Sequence, residues 1–189
     1  MPIMQTSQSP TFWPLGLRLL RFGIKRMLWL CMSASGLAGA IAQAQPMPIP
    51  ETIGVRLGII NYLNEALAPV YINQGWAGNA QALASTSGTC CVSIPSQWKP
   101  GMTMRIEWNS DSMFKRGENE LIARDAPVLP YEPFHSGYAW AIFLPGGEVR
   151  VQPGPTSPGA PDFLQGLPEP GEATEAELRQ FIESNRPNR

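Results

Sequence analysis

The sequence predicts a mainly β domain, a β-sandwich or open barrel of about six or seven short antiparallel strands, followed by a C-terminal amphipathic helix. Three observations point there. Met102, Met104, Ile106 and Trp108 alternate strictly with Thr103, Arg105, Glu107 and Asn109, the period-two mark of a strand with one apolar and one wet face. Twenty prolines and 18 glycines, with charged residues at only 15%, favour turns and extended segments over long helices. Two β-type runs, residues 138–144 and 148–151, flank Pro145-Gly146-Gly147, which makes a hairpin.

The other elements follow in chain order. Residues 53–62 place Val55, Leu57 and Ile59 on one face and Arg56 on the other, a first strand. Residues 69–73 read as a second. The glycine- and asparagine-rich segment 73–79 reads as a turn, since those residues tolerate positive φ. Residues 80–88 are small and polar and read as loop. Thr89 to Ile94 is a short β run ended by Pro95. After the alternating strand, residues 109–119 are polar and loop-like. An edge strand is expected within 120–129, because Pro127 and Pro130 cannot donate to a ladder. Residues 153–171 hold six prolines without periodicity and read as an extended linker. The tail 172–189 turns helical, with Leu178, Phe181 and Ile182 on one stripe and Glu172, Glu175 and Glu177 in the first turns, where the helix dipole favours acids.

Residues 1–44 have the order of a secretory signal. Arg18, Arg21, Lys25 and Arg26 precede an apolar run from Met27 to Ala42. Small-residue cleavage patterns follow at Ala40-Ile41-Ala42 and Ala42-Gln43-Ala44. The expected domain plan is thus a signal peptide (1–44) cleaved after Ala44, a proline-rich lead-in (45–51), a β domain (52–152), the linker (153–171) and the helical tail (172–189). The expected location is the periplasm. An uncleaved inner-membrane anchor is the alternative, but the run is short and its serines and glycines weaken it. Lipid attachment at Cys31 is another, although Leu30 is large where a small residue is wanted. Without the leader, ten basic residues face fifteen acidic ones, a net charge of −5. Such a domain is a poor fit to nucleic acid or to anionic membrane surfaces.

No catalytic or metal constellation is legible, and no cofactor is expected. His135 is the only histidine and lies in a loop with no nucleophile motif around it. Adjacent cysteines and one histidine do not supply metal-ligand spacing. The expectation is a protein that binds rather than catalyses. Two features remain as candidates. Cys90 and Cys91 are adjacent, leaving three readings: two free thiols with at least one in the core, a vicinal disulfide, or intermolecular pairing. Trp76 and Trp98 sit in or beside expected turns, with Asn79 near the first. They read either as caps on the core or as anchors for a protein partner.

Gly58-Ile59-Ile60-Asn61-Tyr62, Ile72-Asn73-Gln74-Gly75, Gly78-Asn79, Cys90-Cys91-Val92-Ser93-Ile94-Pro95, Trp98-Lys99-Pro100-Gly101 and Glu107-Trp108 together resemble one family. It is a group of bacterial exported proteins, domain-of-unknown-function family 3304. Val128-Leu129-Pro130-Tyr131 and Ile142-Phe143-Leu144-Pro145-Gly146-Gly147 also fit, and the resemblance spans about residues 52–152. It implies a cell-envelope protein. Some relatives are encoded beside phospholipase effectors of the type VI secretion system, where they act as periplasmic immunity proteins that bind and block the toxin. The partner implied is therefore a cognate lipase-type effector. A structural envelope component that binds peptidoglycan or another envelope protein is the rival. The chain departs from the family pattern in lacking a good lipid-attachment site and in carrying the proline-rich segment and helix at its end.

Overall fold

The computed structural model describes residues 49–164 and 167–186. The leader and its cleavage patterns lie outside them. Eight strands form two four-stranded sheets: β1 Thr52–Asn61, β2 Leu67–Ile72, β3 Gly75–Ala80, β4 Ala84–Pro95, β5 Thr103–Ser110, β6 Ile122–Pro127, β7 Tyr138–Leu144 and β8 Glu148–Gly154. One sheet runs β4-β1-β7-β8 and the other β3-β2-β5-β6. The expected mainly β sandwich is therefore present, with no closed barrel. Between the eight strands every pairing is antiparallel except β1 with β7, so the two strands richest in buried apolar residues lie parallel at the centre of their sheet. A single parallel bridge joins Val128 to Val151 outside these pairings.

Between the sheets pack Val55, Leu57 and Ile59 of β1, Val70 and Ile72 of β2, Met104, Ile106 and Trp108 of β5, Phe143 of β7 and Val151 of β8. The alternation in β5 is as expected: Met104, Ile106 and Trp108 are buried while Thr103 and Arg105 are exposed. Phe143 meets Trp108 edge to face, with ring centres 5.2 Å apart, a preferred aromatic geometry.

Three local expectations are corrected. The segment 73–79 is not one long turn. Asn73 and Gln74 alone make it, both at positive φ, as a two-residue hairpin turn requires. The chain then re-enters the sheet as β3, a strand within the span that the sequence assigns to the turn. Gly75 opens it because a Cβ there would lie 2.9 Å from both Leu57 and Val92, a close approach only glycine permits. The small polar residues 84–88 are strand rather than loop. They have little β preference of their own, but Ala84 to Ser87 pair with β1 from Asn61 to Gly58, and tertiary pairing overrides weak propensity. Within 109–119, Asp111–Lys115 forms α1. Its Ser112 amide donates to the Glu65 carboxylate at 3.0 Å, which supplies the cap that the Ser110 side chain does not.

The second cluster was not expected from periodicity. On the outer face of the first sheet, Ile60, Trp140, Ile142 and Leu144 are buried under Leu167, Leu178 and Phe181. The helix α2, Glu175–Ser184, is held by a reciprocal capping box between Thr174 and Glu177. Instead of an extended linker, the segment after β8 folds in turns against this face. Trp140 Nε1 donates to the Thr156 carbonyl at 3.0 Å and Tyr62 Oη to the Pro168 carbonyl at 2.6 Å. Burial pushes the Tyr62 phenol well up, and the Glu169 carboxylate adds to it. The Trp140 ring lies over Gly58, where any Cβ would collide with it. Arg150 is carried to the same face and is only 5% exposed. One guanidinium nitrogen donates to Glu148 at 2.6 Å and to the Val149 carbonyl at 3.0 Å.

Candidate functional site

Among the described residues nothing covers the outer face of the second sheet, and its register assembles a row of side chains across all four strands. Trp76 on β3 stands opposite Tyr71 on β2, Tyr71 opposite Glu107 on β5, and Glu107 opposite Ala123 on β6. One step along, Arg105 faces Asp125 and reaches Glu107 at 3.1 Å. Trp76 is 53% exposed and Asn79 is also exposed on the same strand. A large aromatic held on a rigid strand brings much contact area at little entropic cost to binding. The exposed Arg105–Glu107 ion pair beside it is worth only ~0–1 kcal/mol for stability.

Cys90 and Cys91 lie on β4, the edge strand of the first sheet, which packs beside β3. The pairing with β1 steps from Val55 opposite Val92 to Leu57 opposite Thr89. Both cysteines therefore oppose Arg56 alone, which is a β-bulge, and Gly88 at φ +125° supplies a second irregularity next to it. Such bulges blunt an edge against pairing with other chains. The two cysteines are bridged to each other and both are exposed. The reading that puts a free thiol in the core does not survive, because the bulge turns both side chains away from it.

Trp98 is a different case from Trp76. It is half-buried against the core, and its Nε1 donates to the Val128 carbonyl at 2.9 Å. The structure brings Trp76, Asn79 and the cysteine pair to the neighbouring strands β3 and β4, but leaves Trp98 in the β4–β5 crossover, beside Val128 and Pro130. There it joins Tyr131, whose hydroxyl donates to the Pro95 carbonyl at 2.6 Å and is pushed up by burial. Sequence reasoning missed Tyr131 and Phe134. The signal that could have found them was the dense Pro130–Phe134 run, in which two aromatics alternate with prolines and Glu132.

His135 is exposed in the loop before β7. Among the described residues it makes no hydrogen bond to a serine, cysteine or carboxylate. Among the same residues no group of three or more His, Cys, Asp or Glu could hold a metal ion, and no helix is long and apolar enough to cross a membrane.

Residues 60–151, just under half of the chain, match the family model described as Protein of unknown function (DUF3304). That segment belongs to the DUF3304 family. The DUF3304 segment begins in β1 and ends in β8, so it holds the open face, Cys90 and Cys91, Trp98 and Tyr131, while the Arg56 side of the bulge precedes it. It does not hold Leu167, Leu178 or Phe181, which cover the first sheet from outside the family's bounds. No curated protein matches the chain. A solved structure described as the NMR structure of the protein from Eubacterium rectale aligns at 10% identity and a TM-score of 0.23. The alignment covers 57% of this chain and 92% of that one. A likeness that low carries no argument.

Proposed function

We propose that the protein is an exported, non-catalytic binding protein of the cell envelope, and that it serves as a periplasmic immunity protein that binds and blocks a lipase-type effector of the type VI secretion system. The observation that carries this reading is the open sheet face with Trp76 at its edge, flanked by Tyr71 and by the Arg105–Glu107 pair. A flat, pre-formed β surface binds with little reorganisation. A partner seated on it would have its active-site mouth occluded without any chemistry from this chain. Three further features support the reading: the signal-like leader, the family resemblance, and the acidity of the chain beyond residue 44. Net negative charge speeds encounter with a basic patch on the effector.

The test first asks whether a lipase-effector gene lies beside the gene for this protein, and then pairs the two products; a cell-wall gene cluster there instead would favour the structural envelope role. Production with the leader should protect cells from that effector, and production without residues 1–44 should not. The purified proteins should form a complex, and Trp76→Ala should weaken it by ~2 kcal/mol, roughly 30-fold. Absence of both protection and complex formation would sink the immunity reading. Pelleting with purified peptidoglycan, together with indifference to the effector, would put the structural envelope role in its place.

A further inference from the structure

A second concave surface lies away from the open sheet face, along the Pro130–Phe134 loop. Two adjoining cavities, about 410 and about 580 Å3, share Tyr131, Glu132 and Pro133 as a common wall. The first continues to Phe134, Phe163 and the prolines at the end of β8. The second continues to Trp98, Gln97 and Pro130. The wall between them is an aromatic ridge, since Tyr131 and Phe134 pack edge to face with ring centres 5.9 Å apart.

Two properties of this ridge are those of a recognition groove rather than of loose surface. First, its aromatic side chains are fixed by their polar tips. The Trp98 Nε1 bond to Val128 and the Tyr131 hydroxyl bond to Pro95 satisfy each donor inside the protein, and the rings pack against the core. What remains toward solvent is ring face, already ordered before anything binds. Second, the ionisable groups that line both cavities, apart from the Tyr131 phenol, are of one sign. Glu132 belongs to both and Asp162 to the first, and no lysine or arginine lines either. Glu132 forms no ion pair among the described residues, so its charge is uncompensated.

We infer that this groove binds an extended, proline-rich segment of another protein, one that carries a lysine or arginine beside its prolines. A polyproline II segment has no internal hydrogen bonds and presents pyrrolidine faces at three residues per turn. It enters aromatic-lined pockets at low entropic cost because its conformation is set before binding. The ridge divides the groove into two apolar pockets, one on each side of Tyr131, and Glu132 sits at their junction where a basic side chain flanking the prolines would meet it. A small enclosed ligand fits poorly, because both cavities open to solvent. A nucleic acid or anionic surface is repelled by the carboxylates. The groove and the Trp76 face are separate surfaces, so this inference stands whether or not the immunity reading does.

The test uses the purified protein and three synthetic decapeptides: one with a P-x-x-P core and a flanking arginine, the same with glutamate for arginine, and the first with its prolines replaced by alanine. Binding is read from the indole N–H resonance of Trp98 and from the affinity. The basic proline-rich peptide should saturate and shift that resonance. The acidic peptide should bind at least tenfold more weakly, and the alanine peptide should not saturate. Glu132→Lys, an exposed change that leaves the fold intact, should reverse the preference between the basic and acidic peptides. Tyr131→Phe removes the hydrogen bond to Pro95, should loosen the ridge, and should weaken binding severalfold. No saturation by the basic peptide, equal binding of all three, or indifference to Glu132→Lys would each overturn the inference. So would a Trp98 resonance that shifts with protein concentration alone, which would assign the groove to a second copy of this chain.

Discussion

The outer face of the β4-β1-β7-β8 sheet carries Gly58, Ile60, Trp140, Ile142 and Leu144 and lies under the chain's own tail. The outer face of the β3-β2-β5-β6 sheet carries Tyr71, Trp76, Thr103, Arg105 and Glu107 and lies open. Both sheets share one inner core, so the difference between them is entirely on the outside. It teaches how the strand patterns should be read. β5 alternates because one of its faces meets water. β7 reads Tyr-Ala-Trp-Ala-Ile-Phe-Leu without a charge because both of its faces are dry. β1 contains the transition within a single strand: Gly54 and Arg56 on the outer face are exposed, whereas Gly58 and Ile60 are buried where the tail arrives.

The sharpest break of the comparison is a carboxylate placed outward on each sheet. Ile142→Asp buries an unpaired charge beneath the tail and should cost ~3–5 kcal/mol, while Thr103→Asp should cost under ~0.5 kcal/mol. Urea midpoints decide it, and equal midpoints would mean that the tail covers nothing. Ile106→Asp, inward on the open sheet, should match Ile142→Asp and show that side rather than sheet sets the cost.

Next in size is Phe181→Ala. It removes the largest side chain that α2 contributes to the covered face and should cost ~2–3 kcal/mol. Hydrogen exchange should localise the loosening to Ile60, Trp140 and Ile142, leaving the Trp76 row unchanged. A uniform loss across both sheets would show that the tail does not act locally.

A smaller effect, ~1 kcal/mol, is expected for Thr174→Ala, which removes the cap of α2. The same cap gives a pH dependence. Hydrogen bonds from the Thr174 amide and hydroxyl hold the Glu177 carboxyl below its usual 4.5. A group whose pKa is lowered by folding stabilises above its unfolded value and loses that contribution as pH falls through its folded value. Docking of α2 should therefore be complete above about pH 4.5 and weaken below it. Glu65 has the same sign at α1: burial pushes its carboxyl up, but hydrogen bonds from Ser112 and Ser110 and the charge of Arg116 outweigh that and hold it low. A larger loss of helicity on acidification in the wild type than in Thr174→Ala would confirm the linkage, the remainder coming from Glu65 at α1, and equal losses in both would refute it.

The smallest expected change is Trp76→Ala, within ~0.5 kcal/mol of wild-type stability. Trp76 is exposed on the outer face of the second sheet and adds nothing to the core. A melting temperature lowered as much as by Phe181→Ala would place Trp76 among the structural residues instead.

The strands with strong period-two patterns, β1 and β5, and the hairpin at Gly146-Gly147 were legible from residues alone. In each case a local signal, apolar alternation or a glycine turn, agrees with the final environment. Trp76 was also legible as a candidate, although it was placed in a turn. Tertiary structure alone decided what lacked such a signal. Ala84 to Gly88 are strand because β1 offers them hydrogen-bond partners, which no local propensity encodes. Leu178 and Phe181 are core because a face from the centre of the chain waits for them, and a three-residue stripe says nothing of where it will land. Cys90 and Cys91 are turned outward by a register shift between β1 and β4, and register is a property of two strands together. Trp98 and Trp76 look alike in sequence. Only the carbonyl of Val128, thirty residues further on, ties the Trp98 indole into the fold, while Trp76 stands exposed on β3.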